Sequence, residues 1–123
     1  MELQPLNREF SVCQLTSANG IDLTQAFTFL SVTDDEISLV CDSARVPRNA
    51  LRVEAGWKGL KIKGVLDFGM IGVIAKIAGI LAEQNISIFV MSTFNTDFIL
   101  LKSTDYQKAV HLLGQNGYIL SAS

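Results

Sequence analysis

Residues 59–120 carry the pattern that most constrains this chain: the hydrophobic period switches from two to about 3.6 and back, twice over. Residues 59–66 alternate Leu60 and Ile62 with Lys61 and Lys63, which predicts a strand with one wet face. Residues 67–72, Asp-Phe-Gly-Met-Ile-Gly, form a loop opening a helix over about 71–84. Asn85 is a suitable stop, because Asn tolerates the left-handed backbone found at helix ends. A strand over 86–92, a turn at 95–96 and a strand over 97–102 follow. Thr104 is placed to cap a second helix, in which Tyr106, Ala109, Val110 and Leu113 follow the i, i+3, i+4, i+7 spacing. Gly114 or Gly117 ends it, and 118–120 is a short final strand. The order β-α-β-β-α-β predicts an α+β, ferredoxin-like unit with its helices on one face of an antiparallel sheet.

The first helix has two distinct sides at about 100° per residue. Met70, Val73, Ile74, Ile77, Ile80 and Leu81 fill a bulky arc that should cover the sheet. Gly72, Ala75, Ala78, Gly79 and Ala82 fall opposite, where another backbone can approach, or where water does. The following strand is apolar on both faces, with Ile86, Ile88 and Val90 on one and Phe89 and Met91 on the other. Such a sheet usually meets a second layer.

The first half reads as strands. In 10–16, Phe10 and Val12 point one way and Cys13 and Leu15 the other, and 17–20 is a turn cluster. Residues 27–32 and 36–41 are β-rich runs around Thr33-Asp34-Asp35. Thr33-x-x-Glu36 also fits a helix capping box, but Ile37, Leu39 and Cys41 alternate with Glu36, Ser38 and Val40, so a hairpin is the better reading. Residues 43–56, with Pro47 and Gly56, read as a linker packing two halves, 1–56 and 57–123, into one cooperative body.

Composition excludes several classes. With 123 residues, 49% of them apolar and only 18% charged, the chain is long enough for a core and too apolar for disorder. No apolar run reaches the length of a membrane span, and 1–10 lacks the features of a signal peptide, so a cytoplasmic protein is expected. Cys13 and Cys41 sit in apolar runs and are expected to be buried thiols. A net charge of −2 offers no footprint for nucleic acid. The halves carry −4 and +2, which is either mutual attraction or two solvated faces.

Chemistry-bearing patterns are few. One histidine, His111, lies on a polar helix stripe, and two distant cysteines make no metal set, so neither a metal, a cofactor nor a nucleophilic triad is expected. Asp67-Phe68-Gly69 spells a kinase motif without the rest of a kinase. Gly69-Met-Ile-Gly72 has the spacing of a KH-domain loop but lacks basic surroundings, and the strands lack the aromatic platform of an RNA-recognition module. An acylphosphatase-like enzyme wants a cation in its phosphate loop, and 66–72 has neither Lys nor Arg. What remains is the loop itself. Its later amides point outward at the positive end of a helix dipole and favour a carboxylate, while Asp67 can pair with an ammonium. An α-amino acid carries both groups. Ser92 and Thr93, ending the next strand, add hydroxyls, and Asp97 begins the strand after. The spacing equally fits an Asp67 that merely caps a helix and glycines that merely make a turn.

Residues 57–120 resemble an ACT domain, the small-molecule-binding regulatory module of amino-acid metabolism. The similarity rests on Gly64-Val-Leu-Asp-Phe-Gly-Met-Ile-Gly-Val-Ile and Leu81-Ala-Glu-Gln-Asn-Ile-Ser-Ile. The whole chain is similar to stand-alone tandem-ACT proteins related to the ACT regions of aspartate kinase and of the cellular arginine sensors. The stretches carrying this are Phe10-Ser-Val-Cys-Gln-Leu, the run from Ser31 to Cys41, Gly56-Trp-Lys-Gly, and the run from Ile88 to Leu100.

The resemblance implies two ACT-like units, the first of them, 1–56, degenerate. It also implies an amino-acid ligand held where units meet, at Asp67, Phe68, Gly69, Met70, Ile71 and Gly72, with 92–97 (including Ser92, Thr93 and Asp97) alongside. The common pattern places Pro-Gly shortly after the Asp; here Phe-Gly-Met-Ile intervenes before Gly72. The first half shows no helix of the usual kind, so it is expected to supply strands and interface. The expectation is a non-catalytic amino-acid sensor or regulatory protein, a homodimer with a regulated enzyme or protein partner. An oligomerisation or protein-interaction module without a ligand is the alternative.

Overall fold

The computed structural model describes residues 1–64 and 71–121. The elements are β1 (Glu2–Leu15), β2 (Phe29–Val32), β3 (Ile37–Asp42), a 3-10 turn (Ser43–Arg45), β4 (Ala50–Ile62), α1 (Val73–Ala82), β5 (Ile88–Ser92), β6 (Asp97–Lys102), α2 (Tyr106–Gln115) and β7 (Ile119–Leu120). The chain divides into two compact units: Met1–Asn7 with Lys58–Ser123, and Arg8–Trp57.

The larger unit is α+β, with the expected alternation of strands and helices. Its strand order is β7-β1-β4-β6-β5, β5 and β6 pairing antiparallel from Ile88↔Leu101 to Ser92↔Asp97. The start of β1 lies between β7 and β4. It pairs parallel with β7 through Glu2↔Ile119 and Leu3↔Leu120, and Lys63 N–H donates to Glu2 O at 3.0 Å. Both helices cover one sheet face. Ile77 and Leu81 of α1 and Ala109 and Leu113 of α2 are fully buried against Leu3, Leu60, Ile62, Ile99 and Leu101. The bulky arc of α1 thus faces the sheet, as its spacing predicts, while Ala75, Gly79 and Ala82 are exposed. The second sheet face is apolar too, and Leu100 is fully buried there.

Helix ends refine the expectations. Helix α1 is shorter than 71–84, because Gly72 takes a left-handed conformation (φ +79°) just before it. Asn85 (φ +59°) closes the chain reversal after it in the left-handed backbone expected of it. Thr104 does not cap α2; Asp105 holds that position and makes no side-chain cap bond. Asn116 follows Gln115, and Gly117 (φ +90°) turns the chain into β7. His111 is exposed.

The smaller unit has strand order β2-β3-β1-β4. The hairpin reading of 27–41 holds, with Val32↔Ile37 closing the ladder. Thr33 spends its capping geometry on that turn: its N–H donates to Glu36 O at 2.9 Å, and its Oγ1 accepts from Glu36 N–H at 3.1 Å. Cys13, Leu15, Leu39 and Cys41 form the core, flanked by Ile21, Leu30 and Val46, and both thiols are free. The only helical piece in this unit is the 3-10 turn, started by Asp42 Oδ1 accepting from Ala44 N–H at 3.0 Å.

Two readings of the first half need correction. Residues 43–56 are not a linker, since β4 begins at Ala50 and runs for 13 residues. Leu51 and Val53 do alternate with Arg52 and Glu54, but all four are exposed, so no buried face announces the strand. Strand β1 likewise begins at Glu2 rather than near Phe10, because its pairing partners β7 and β4 lie far away in sequence.

Candidate functional site

Helix α1 starts without a capping side chain, and its first intrahelical bond is Lys76 N–H to Gly72 O at 2.9 Å. Among the described residues, no side chain caps the N–H groups of the preceding helical residues, which point toward an acceptor. Among the described residues a Cβ on Gly72 would meet nothing within 4 Å, and its positive φ is what calls for glycine. Ile71, Gly72, Val73 and Lys76 line a groove of about 260 Å3 closed by Met1, Asn116, Gly117 and Tyr118. Ile71 is 96% exposed at its rim. Lys76 supplies a cation one turn into the helix. Burial pushes the Tyr118 phenol above its ordinary value, so it is neutral and able to donate.

The β5–β6 turn positions the other predicted residues. Ser92 pairs directly with Asp97 across the ladder. Thr93 N–H and Oγ1 both donate to Thr96 O, at 2.9 and 3.0 Å. Thr96 is buried, and its Oγ1 donates to Ile62 O at 2.8 Å, which ties the turn to the end of β4. Thr93 and Thr96 line a second groove of about 310 Å3 with Lys61, Gly64, Asn95 and Phe98. Lys61 Nζ stands 5.9 Å from the centre of the Phe98 ring, a cation held beside an aromatic face.

Of the predicted site residues, Ile71 and Gly72 thus share one groove, Thr93 lines another, and Ser92 and Asp97 are paired neighbours. Asp67, Phe68, Gly69 and Met70 lie outside the described residues. The sequence argument missed Lys76, Lys61 and Thr96. Lys61 was visible only as one lysine of a wet strand face. Thr96 had a signal: Thr33-x-x-Glu36 and Thr93-x-x-Thr96 occupy matching turns, and registers Val32↔Ile37 and Ser92↔Asp97 coincide at a fixed offset of 60 residues. Among the described residues, no group of three His, Cys, Asp or Glu is placed to hold a metal. No helix among them is long and apolar enough to cross a membrane.

A family model described as the ACT domain matches residues 52–115, just over half of the chain. The chain belongs to the ACT domain family. A crystal structure of protein Atu0741 from Agrobacterium tumefaciens superposes with a TM-score of 0.86 at 32% identity, covering 99% of this chain and 92% of that one. This ACT protein is also 29% identical over 99 residues to the human cytosolic arginine sensor for mTORC1 subunit 1, covering 72% of this chain and 30% of the sensor. The aspartokinase alpha and beta subunits share the fold at 14% identity, with a TM-score of 0.60 and coverage of 94% and 96%. The chain spans between 30% and 53% of the length of the curated relatives it matches.

Proposed function

We propose that this ACT protein is a non-catalytic, amino-acid-binding regulator. The observation that carries the reading is the ACT match over 52–115, which includes the α1 start with its uncapped amides and nearby Lys76. Relatedness to a protein named as a cytosolic arginine sensor supports an amino-acid ligand and a cytoplasmic setting. In this reading the ligand carboxylate meets the helix-start amides at Gly72 and Val73, where the dipole adds to the hydrogen bonds. Asp67 holds the ammonium, Phe68 to Ile71 complete the loop, and the segment with Ser92, Thr93 and Asp97 flanks it. Residues 1–56 form a second, degenerate ACT-like unit; the duplicated Thr-x-x turn supports this. The regulator works as a homodimer and acts on an enzyme or protein partner, the exposed Ala75, Gly79 and Ala82 side of α1 favouring close helix approach.

A thermal-shift panel with the common amino acids tests the reading. A ligand that binds only the folded state raises Tm, and the rise continues roughly with the logarithm of ligand concentration above Kd. One amino acid, or one chemical class, is expected to raise Tm progressively with its concentration while the others leave it unmoved. A panel in which none does so overturns the proposal and leaves the ligand-free interaction module. Sedimentation giving a clean 13.4 kDa species at micromolar concentration would contradict the dimer.

A further inference from the structure

The two units treat equivalent sheet faces differently. In the larger unit, Ile99 and Leu101 lie beneath α1 and α2. Their counterparts 60 residues earlier, Leu39 and Cys41, have no α-helix above them within their own unit. Loop residues and the 43–47 segment stand there instead, and they leave a cavity of about 350 Å3. That is within the size range of small-molecule sites, roughly 300–1,000 Å3.

The lining has an amphipathic design. Ile21, Leu39, Cys41 and Pro47 are its apolar part, and Asp22 and Arg45 supply opposite charges 3.8 Å apart. Burial, with Cys13 alongside, pushes the Cys41 thiol up to about 12, so this wall of the cavity is uncharged. The Asp22 carboxylate is held in place by its own segment, and the backbone of Arg45 by the 3-10 turn. Asp22 accepts from Thr24 Oγ1 at 2.5 Å, from Thr24 N–H at 3.0 Å and from Gln25 Nε2 at 3.2 Å, and these bonds, the Thr24 hydroxyl first, keep its carboxyl below the ordinary range. Arg45 ends the 3-10 turn, which is anchored to β1 by Ser11 Oγ and Ser43 Oγ at 2.7 Å, Ser11 being buried. A fixed carboxylate loses little freedom on binding. The ion pair itself is long and half-exposed, so exchanging it for ligand contacts forfeits little.

We propose that this cavity binds a small zwitterion with an aliphatic body, an aliphatic α-amino acid, its carboxylate on Arg45, its ammonium on Asp22 and its side chain toward Leu39, Ile21 and Pro47. The site is separate from the α1 start and does not rest on the reading of the 67–72 loop. It gives the helix-poor unit a binding role of its own.

The test is a titration of the full chain followed by amide NMR, with three probes: L-leucine, 4-methylpentanoate, which lacks the ammonium, and 3-methylbutylamine, which lacks the carboxylate. Saturable shifts at Ile21, Ala44 and Arg45 are expected with leucine, at an affinity about ten-fold or more above either one-headed probe. Arg45→Gln should weaken leucine by about ten-fold, and Ala44→Trp, at an exposed lining position, should block it without unfolding the chain. Asp67→Asn should leave these shifts unchanged. The proposal is overturned by absence of saturable shifts at 21, 44 and 45, by equal binding of all three probes, or by loss of the shifts in Asp67→Asn. Leucine shifts confined to 71–76 would overturn it while leaving the α1-start reading intact.

Discussion

Leu3 and Leu120 are direct partners in the parallel β1–β7 ladder, and Leu3 is fully buried in the core of the larger unit. Residues near both ends of this sequence therefore build one hydrophobic layer. Leu3→Ala should cost about 2–5 kcal/mol, as large-to-small changes in cores do. Urea unfolding should show the loss as a lower midpoint at unchanged slope. A fragment of residues 57–123 lacks Leu3 and the strand between β4 and β7, so it should not unfold cooperatively. A folded, native-like fragment would contradict the account of this core.

Thr96 and Thr33 close equivalent turns in different surroundings. Thr96 Oγ1 is buried on Ile62 O, whereas the Thr33 bonds are exposed. Thr96→Val leaves a buried carbonyl without its donor and should lose about 1–3 kcal/mol. Thr33→Val should lose less, since water replaces what the hydroxyl gave up. Matched denaturation curves for the two variants check the order; equal losses would count against it.

Much of the larger unit was legible because its signals are local. The period of 3.6 over 73–81 and the left-handed stop at Asn85 each concern neighbours within a few residues, as does the alternation around Thr33 in the smaller unit. What was not legible depends on distant partners. Nothing near Glu2 and Leu3 announces that they lie between strands contributed by residues beyond 57. Leu51 to Glu54 form a strand without a buried face, so Pro47 and Gly56 dominated the local reading. The candidate site divides the same way. Gly72 was found from its loop motif, while Lys76, Thr96 and the cavity beside Arg45 arise from packing. That cavity exists because helices are absent, and an absence has no periodicity to detect.

The buried thiols set an alkaline limit. Burial raises both Cys13 and Cys41, the latter to about 12 from an ordinary 9.0, and also raises Tyr106 and Tyr118. A folded-state pKa above the unfolded one means that the unfolded chain gives up protons first. The contribution is fully present below about pH 9 and is lost as pH rises toward the folded value. Tm should therefore fall steadily above about pH 9, and Cys13→Ala/Cys41→Ala should flatten that fall. A Tm unaffected by alkaline pH would contradict the burial of these groups. Thiol reagents at neutral pH should label neither cysteine until the chain unfolds.

Asp67→Asn separates ligand binding from fold stability. If Asp67 pairs with a ligand ammonium, its neutral replacement should weaken amino-acid affinity by about ten-fold or more. The fold should be unaffected, because Gly72, not Asp67, is the N-cap of α1 and Asn nearly matches Asp in shape. Calorimetry for affinity and a melting curve without ligand read the two roles independently. Unchanged affinity with lowered Tm would leave Asp67 a structural role alone.

On the proposed reading, this ACT protein binds a free amino acid without transforming it. Equilibrium dialysis of the full chain against an equimolar mixture of the common amino acids, followed by amino-acid analysis of both chambers, tests it most directly. The account predicts that one amino acid or one chemical class is enriched on the protein side and that every amino acid is recovered in full. Equal concentrations on both sides, or loss of any amino acid to a product, would contradict it.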